Sequence, residues 1–421
     1  MSLTLTDIRI LDPDSGRDEI GHLRIEDGKV AALGPDCTPS GTLIEGQGLC
    51  AAPGLIDMRV TTGEPGRENR ETLTTAAQAA IAGGVTAMVV MPGTDPVLDD
   101  MALIDYVMRR GENLPVDIHV AGALTKGMTG EVMTEIGLMQ EVGAVLFASG
   151  KTPIRDAQMM RRLLSYSASF NALISNHCIT PEMSMGTVAH ESDFSSRLGL
   201  TSAPAVSERM MAERDIALAE LTGGRVLLDL VSSADVLPVL RRAKAKSLDV
   251  AASVSINHLA LNELDIGDYR TFAKLEPPLR EERDRQALLG AINDGTIDVI
   301  VSDHDPRPAG EKRLPYAEAS PGAVGLELLL AAGLSQIADG ALEMLPFLAA
   351  LTCNPADLLG LDSGRLRVGA AADLVIFDPH EPWVCDAETL RSRSKNTPFD
   401  GRRLTGRVRH TIKAGELVYS A

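Results

Sequence analysis

The sequence predicts an α/β protein: a (β/α)8 barrel with a small β-sandwich formed from both chain ends. Three observations predict it. Short apolar runs recur eight times between residues 55 and 301. Amphipathic, helix-like stretches separate them. The first and last fifty residues instead alternate apolar and polar side chains in the strand period of two.

Leu3 to Leu11 alternates, and Leu23 to Leu33 carries Asp27-Gly28 between apolar runs, a hairpin signal. The barrel runs are Leu55–Val60, Val85–Met91, Val116–Ala121, Ala144–Phe147, Ala172–Ser175, Val226–Val231, Val250–Ile256 and Ile297–Val301. Continuous apolar runs mark strands covered on both faces, as in parallel sheets. Thr72–Ala82 and Asp156–Tyr166 have the spacing of covering helices. Eight such units is the count of a closed barrel. A doubly wound open sheet is the alternative, but no Gly-rich phosphate loop follows the first run. Asp373–Phe377 and a strand pair around Ala414-Gly415 complete the chain. The expected division is residues 1–53 plus 362–421 for the sandwich and 54–361 for the barrel.

Composition narrows the function. The 421 residues are 44% apolar and 23% charged, which is ordinary globular material. Lys and Arg number 40 against 58 Asp and Glu, for a net charge of −18. Such a surface repels phosphate backbones and anionic lipid, so neither nucleic acid nor a membrane is an expected partner. Cys37, Cys50, Cys178, Cys353 and Cys385 are odd in number and widely spaced, unlike a disulfide framework or zinc ribbon. Met1 to Arg9 lacks a signal-peptide pattern, and no apolar run approaches the roughly 18 residues of a membrane span. A cytoplasmic location is expected.

Barrel enzymes build their chemistry after the strands. Several motifs at those places are informative together: Ala52-Pro53-Gly54-Leu55-Ile56-Asp57, Ala82-Gly83-Gly84-Val85-Thr86, Met91-Pro92 with Thr94 and Pro96, and Pro277-Pro278-Leu279-Arg280. So are Asp294-Gly295-Thr296-Ile297-Asp298, Gly325-Leu326-Glu327, Gly364-Arg365-Leu366, Ala372-Asp373-Leu374-Val375 and Asn396-Thr397-Pro398-Phe399. Through them nearly the whole chain resembles the dihydroorotase branch of the amidohydrolase superfamily. The resemblance implies a zinc site in the barrel, a proton-shuttling Asp after strand eight, and reversible cyclisation of N-carbamoyl-aspartate to dihydroorotate. Zinc held by neutral imidazoles lowers the pKa of its bound water to about 7, and a nearby carboxylate moves the proton.

The residues depart from that pattern. The two His of the first strand are Arg59 and Thr61, and the substrate-gripping Arg and Asn are Gly63 and Gly93. Arg cannot ligate a metal, and Thr offers one weak oxygen. The bridging acid after strand four is absent from Ala148-Ser149-Gly150, and Lys151 stands out of register for it. Leu230 replaces the strand-six His, Glu276 the Asn before Pro-Pro-Leu-Arg, and Arg307 the His closing the strand-eight motif. His177 and Asp303 remain at family metal positions, with Asp303 also at the catalytic one. Core hydrogen bonding for His177, and helix capping or pairing with Arg59 for Asp303, are their plain alternatives. Zinc wants three or four protein ligands. His119, His190, His258 and His304 are weaker candidates, and His304 should face away from Asp303.

A direct Arg59–Asp303 or Arg59–His177 contact, with the guanidinium standing where metal would be, is therefore expected. The leading expectation is a catalytically degenerate, dihydroorotase-like pseudoenzyme with no cofactor. Through the resemblance it is a structural partner of aspartate transcarbamoylase and a homo-oligomer. The alternative is an active zinc cyclic amidohydrolase on dihydroorotate, or on a hydantoin- or allantoin-like ring, with a rebuilt site. A third reading has Arg59 and Arg307 clamp a small anion, against their being solvated or internally paired.

Overall fold

The computed structural model describes residues 2–421. Both chain ends enter one sheet. Its strands run, side by side, Glu416–Ser420, Arg403–Lys413, Leu374–Val384, Cys50–Pro53, Ser2–Asp12, Arg17–Glu26 and Lys29–Gly34, with Thr42–Glu45 also on Ser2–Asp12. The seam between the ends is Cys50–Pro53. It lies parallel to Ser2–Asp12 and antiparallel to Leu374–Val384, with Pro53 opposite Leu374 and Cys50 opposite Phe377. Ile8, Ile10 and Leu23 from the first end bury against Leu374, Ile376 and Ile412 from the second. Each such aliphatic contributes about 1.5–3 kcal/mol by leaving water. The predicted hairpin turns at Asp27 and Gly28, both at positive φ (49° and 78°), the backbone a tight two-residue hairpin needs.

The second sheet holds eight parallel strands: Leu55–Val60, Val85–Val90, Asp117–Ala123, Ala144–Ala148, Leu173–His177, Arg225–Asp229, Val250–Ser255 and Val299–Val301. Every predicted run appears. The sheet curls until its first and last strands meet. The Asp57 carboxylate accepts from the Ser302 backbone N–H at 3.2 Å, and Thr61 N–H donates to the His304 carbonyl at 2.8 Å. Ile56, Met58, Val89, Leu146, Leu227 and Val299 fill the interior. Outward residues such as Leu55 and Val85 pack with the surrounding helices. Helix Leu73–Ala82 starts at Thr72, whose hydroxyl accepts from Thr75 N–H in a capping box. Helix Ala157–Ala168 starts at the Asp156 cap.

The sixth strand ends at Asp229 rather than Val231, because Leu230 turns into left-handed backbone (φ 58°). All five cysteines are buried and unbridged. Among the described residues no helix is long and apolar enough to cross a membrane.

Candidate functional site at the barrel mouth

The ends of strands one, six and eight converge on one guanidinium. Arg59 is 3% exposed. Its Nε donates to Asp303 Oδ1 at 3.1 Å, and its Nη1 donates to Asp229 Oδ2. The predicted Arg59–Asp303 contact is thus present. The second carboxylate, Asp229, lies inside the sixth apolar run, and only the end of that strand at Asp229 brings it to the mouth. Asp229 Oδ1 is held in turn by the Ser253 hydroxyl at 2.9 Å. Burial works against the Arg59 charge, but Asp229 and Asp303 overcome it and hold the guanidinium protonated.

Two of these strand ends carry unusual backbone. Asp303 and Leu230 both adopt positive φ, at 48° and 58°. For non-glycine residues this costs roughly 1–2 kcal/mol each, so the surroundings over-determine the geometry. Leu230 packs its side chain into the barrel interior and gives its N–H to the Ser253 hydroxyl at 3.0 Å.

A second layer of charge lies above. Lys151 Nζ stands 3.4 Å from Asp303 and 3.2 Å from Asp305. Arg307 Nη2 donates to Asp305 at 2.8 Å, and its Nη1 lies 3.7 Å from Glu311. Lys151 therefore reaches the mouth as a paired cation. Arg59 and Arg307 are both internally paired, the outcome set against an anion clamp. Beside this layer opens a cavity of about 490 Å³, walled by Lys151, Pro153, Ile179, Met185, Lys274 and Glu276. Burial raises the Glu276 carboxyl above its usual range, while Lys151 pulls it back. Arg59, Asp229, Asp303 and His177 are buried outside the cavity's wall.

His177 is fully buried, and neither ring nitrogen has a hydrogen-bond partner. Burial, then the charges of Arg59 and Lys151, push its pKa well below the ordinary value, so the ring is neutral. The other candidates disperse. Thr61 joins the strand-eight seam through its backbone. Gly63 sits in a turn so tight that a Cβ would lie 1.8 Å from the Arg67 carbonyl oxygen. Gly93 is exposed, with open space around it. His119 lies in the N-terminal half of strand three near Asp117 and Lys413. His258 donates from Nε2 toward the Pro277 carbonyl at 3.2 Å. His304 faces away from the mouth, as expected: Nδ1 accepts from Gly325 N–H, and Nε2 lies 3.4 Å from the Glu71 carboxylate.

These residues do not fit a zinc ion. Among the described residues, a single His/Cys/Asp/Glu trio has ligand atoms within 4.8 Å of one another, and it is His190, Glu281 and Asp284. That trio lies elsewhere, and Arg280 Nη1 donates to His190 Nδ1 at 3.1 Å. The neutral ring then carries its proton on Nε2, leaving no nitrogen lone pair for a metal. At the mouth a guanidinium spans the carboxylates, and its charge repels a cation.

Comparison with known proteins agrees with this architecture. The amidohydrolase family profile matches residues 50–418. The chain belongs to the amidohydrolase family. Among curated amidohydrolases, the dihydroorotase of Pelobacter propionicus is 36% identical over 422 residues, covering 100% of both chains. That of Pelotomaculum thermopropionicum is 39% identical over 420 residues, covering 99% of this chain and 98% of its own. Among solved structures, the L-hydantoinase of Arthrobacter aurescens superposes with a TM-score of 0.89 at 24% identity, covering 99% of this chain and 96% of that one. The D-hydantoinase of a Thermus species gives 0.83 at 22%, covering 99% and 95%. At those identities the two hydantoinases speak to the fold alone. The chain is a dihydroorotase-like amidohydrolase whose barrel mouth is closed by Arg59 paired with Asp229 and Asp303.

Proposed function

We propose that this amidohydrolase is a dihydroorotase-like protein of pyrimidine biosynthesis that does not turn over dihydroorotate, and that it serves as a structural partner of aspartate transcarbamoylase. One observation carries the loss of activity: the Arg59 guanidinium bonds Asp303 and Asp229 at the barrel mouth. Hydrolysis of a ring amide needs an activated water and a free base. Here Asp303 is paired to both Arg59 and Lys151, and no group is poised to activate water. The substrate clamp is missing too, since Gly63 has no room for a side chain. The partnership rests on the family resemblance, together with a barrel and sandwich kept while the site is not.

Elemental analysis of chain purified with and without added zinc, a dihydroorotate assay, and co-purification with aspartate transcarbamoylase test this reading. No zinc at the mouth, no turnover and a stable complex are expected. Stoichiometric zinc with turnover overturns it. The second reading, an active dihydroorotase or related cyclic amidohydrolase, is favoured by the cavity that Lys151 and Glu276 line and by the name its relatives carry. It requires turnover that Asp303→Asn abolishes.

A further inference from the structure

The charge of this chain is unevenly placed. Residues 391–413 hold eight Lys and Arg against a single Asp, although the whole chain carries −18, which leaves −25 on the rest. These cations gather at the last strands of the sandwich. Glu327, whose carboxylate accepts from the Arg391 N–H at 2.7 Å, lies within Coulombic reach of Arg391, Lys395 and Arg407 together. Arg407 and Arg409 project from strand Arg403–Lys413 and share one carboxylate, Glu381. Arg402 is neutralised by Asp265, and Lys413 by Asp117 and Asp373. Arg393 and Arg403 are exposed and have no charged partner among the described residues. Two of the guanidiniums lie over aromatic rings: Arg407 is 5.5 Å from the centre of the Trp383 ring, and Arg391 is 5.3 Å from that of Tyr419. A guanidinium held on a ring loses less freedom when an anion binds its N–H edge. Val384, opposite Arg403 across the strand pair, adds an exposed apolar side chain.

The occupants open to such a face differ in charge and length. A second copy meeting it about a two-fold axis would set arginine against arginine. A nucleic acid or an anionic membrane would extend past the patch onto the acidic remainder and be repelled. A short carboxylate-rich segment stays within the patch, and each carboxylate matches the fork of a guanidinium. Arg, Trp and Tyr are also the residues that protein interfaces favour. We propose that this basic face, with Arg391, Arg393, Arg403 and Arg407 beside Trp383 and Tyr419, docks an acidic peptide segment of another protein. It shares no residue with the barrel mouth, so it stands whether or not dihydroorotate is turned over. Charge steers the encounter, and binding weakens as salt rises.

Trp383 is the single tryptophan of the chain, so its emission reports on this face directly. The test is titration of the full chain with an oligoglutamate peptide at low salt, read by Trp383 fluorescence. A saturable change that added salt reverses is expected. Arg393→Glu/Arg403→Glu leaves the Arg407–Trp383 stack intact and should weaken binding about tenfold or more. Arg161→Glu/Arg162→Glu, exposed on helix Ala157–Ala168, changes the net charge equally and should shift binding by less than about twofold. If the first variant does not fold, Arg393→Gln/Arg403→Gln is read in its place. Equal weakening in both variants, or no Trp383 response to the peptide, overturns the inference. So does tighter binding of a single-stranded oligodeoxynucleotide of matched charge, or of phosphatidylserine vesicles, which would assign the face to nucleic acid or to a membrane.

Discussion

Arg59 and Asp303 stand 244 residues apart in the chain and meet at 3.1 Å, joining the first barrel strand to the end of the eighth. The same guanidinium reaches Asp229, so one side chain ties three strand ends together across the mouth. A buried ion pair of this kind contributes little over a well-packed apolar replacement, but breaking one side of it is costly.

Asp229→Leu should therefore lower stability by about 3 kcal/mol, because it leaves the buried Arg59 guanidinium with Asp303 alone, which Lys151 also pairs. The Arg59→Met/Asp229→Leu pair should cost much less than the two single changes added, with a coupling of roughly 1–3 kcal/mol. Urea unfolding of the four chains measures this. Additive effects would mean that the contact is energetically idle.

His177→Leu is expected to be neutral or to stabilise by about 1 kcal/mol. It exchanges an imidazole with no hydrogen-bond partner for an apolar side chain of similar size, removing a desolvation cost. Thermal unfolding shows the sign. A loss of several degrees would reveal a partner for His177.

Asp305 sets an acid limit. Burial alone would raise its pKa, but Lys151 and Arg307 outweigh burial and bring it to about 2. A carboxyl depressed on folding stabilises the fold above its unfolded pKa of about 3.9, and that stability is lost as pH falls toward 2. The contribution at neutral pH is on the order of 2 kcal/mol. Asp305→Asn should flatten the acid limb between about pH 4 and 2. An unchanged limb in the variant would place the sensitivity elsewhere.

Restoring the missing clamp by Gly63→Arg should fail. The new Cβ would collide with the Arg67 carbonyl, and the turn from Gly63 to Glu71 is closed by Gly63 N–H to the Glu71 carbonyl at 2.9 Å. A loss of about 3 kcal/mol or more is expected, read as a lowered Tm. A stable Gly63→Arg chain would show that the turn can rearrange.

Much of the fold could be read ahead. Apolar runs buried on both faces leave a continuous signature, and turn residues such as Asp27-Gly28 act locally, so neither needs knowledge of distant partners. The Arg59–Asp303 contact was equally legible, since a guanidinium and a carboxylate at the ends of strands one and eight seek each other. What stayed hidden is the rest of the long-range pairing. Asp229 reads as an ordinary acidic residue until the strand ends converge on Arg59. Lys151 looked displaced because register was counted along the chain, whereas a long flexible amine reaches Asp303 and Asp305 from two residues beyond Ser149. The limit for Leu230 was backbone: nothing local announces a left-handed leucine.

The seam at Cys50–Pro53 has a consequence for how the molecule is made. This strand must wait for Leu374–Val384, some 320 residues later, before its free edge is satisfied. At ribosomal rates of about 5–20 residues per second, the delay is roughly 15 to 65 s. During that interval the first strands expose Ile8, Ile10 and Leu23 with no opposing layer. The nascent chain therefore passes through a stage in which its oldest segment is its least finished, and the last strands to emerge seal the first.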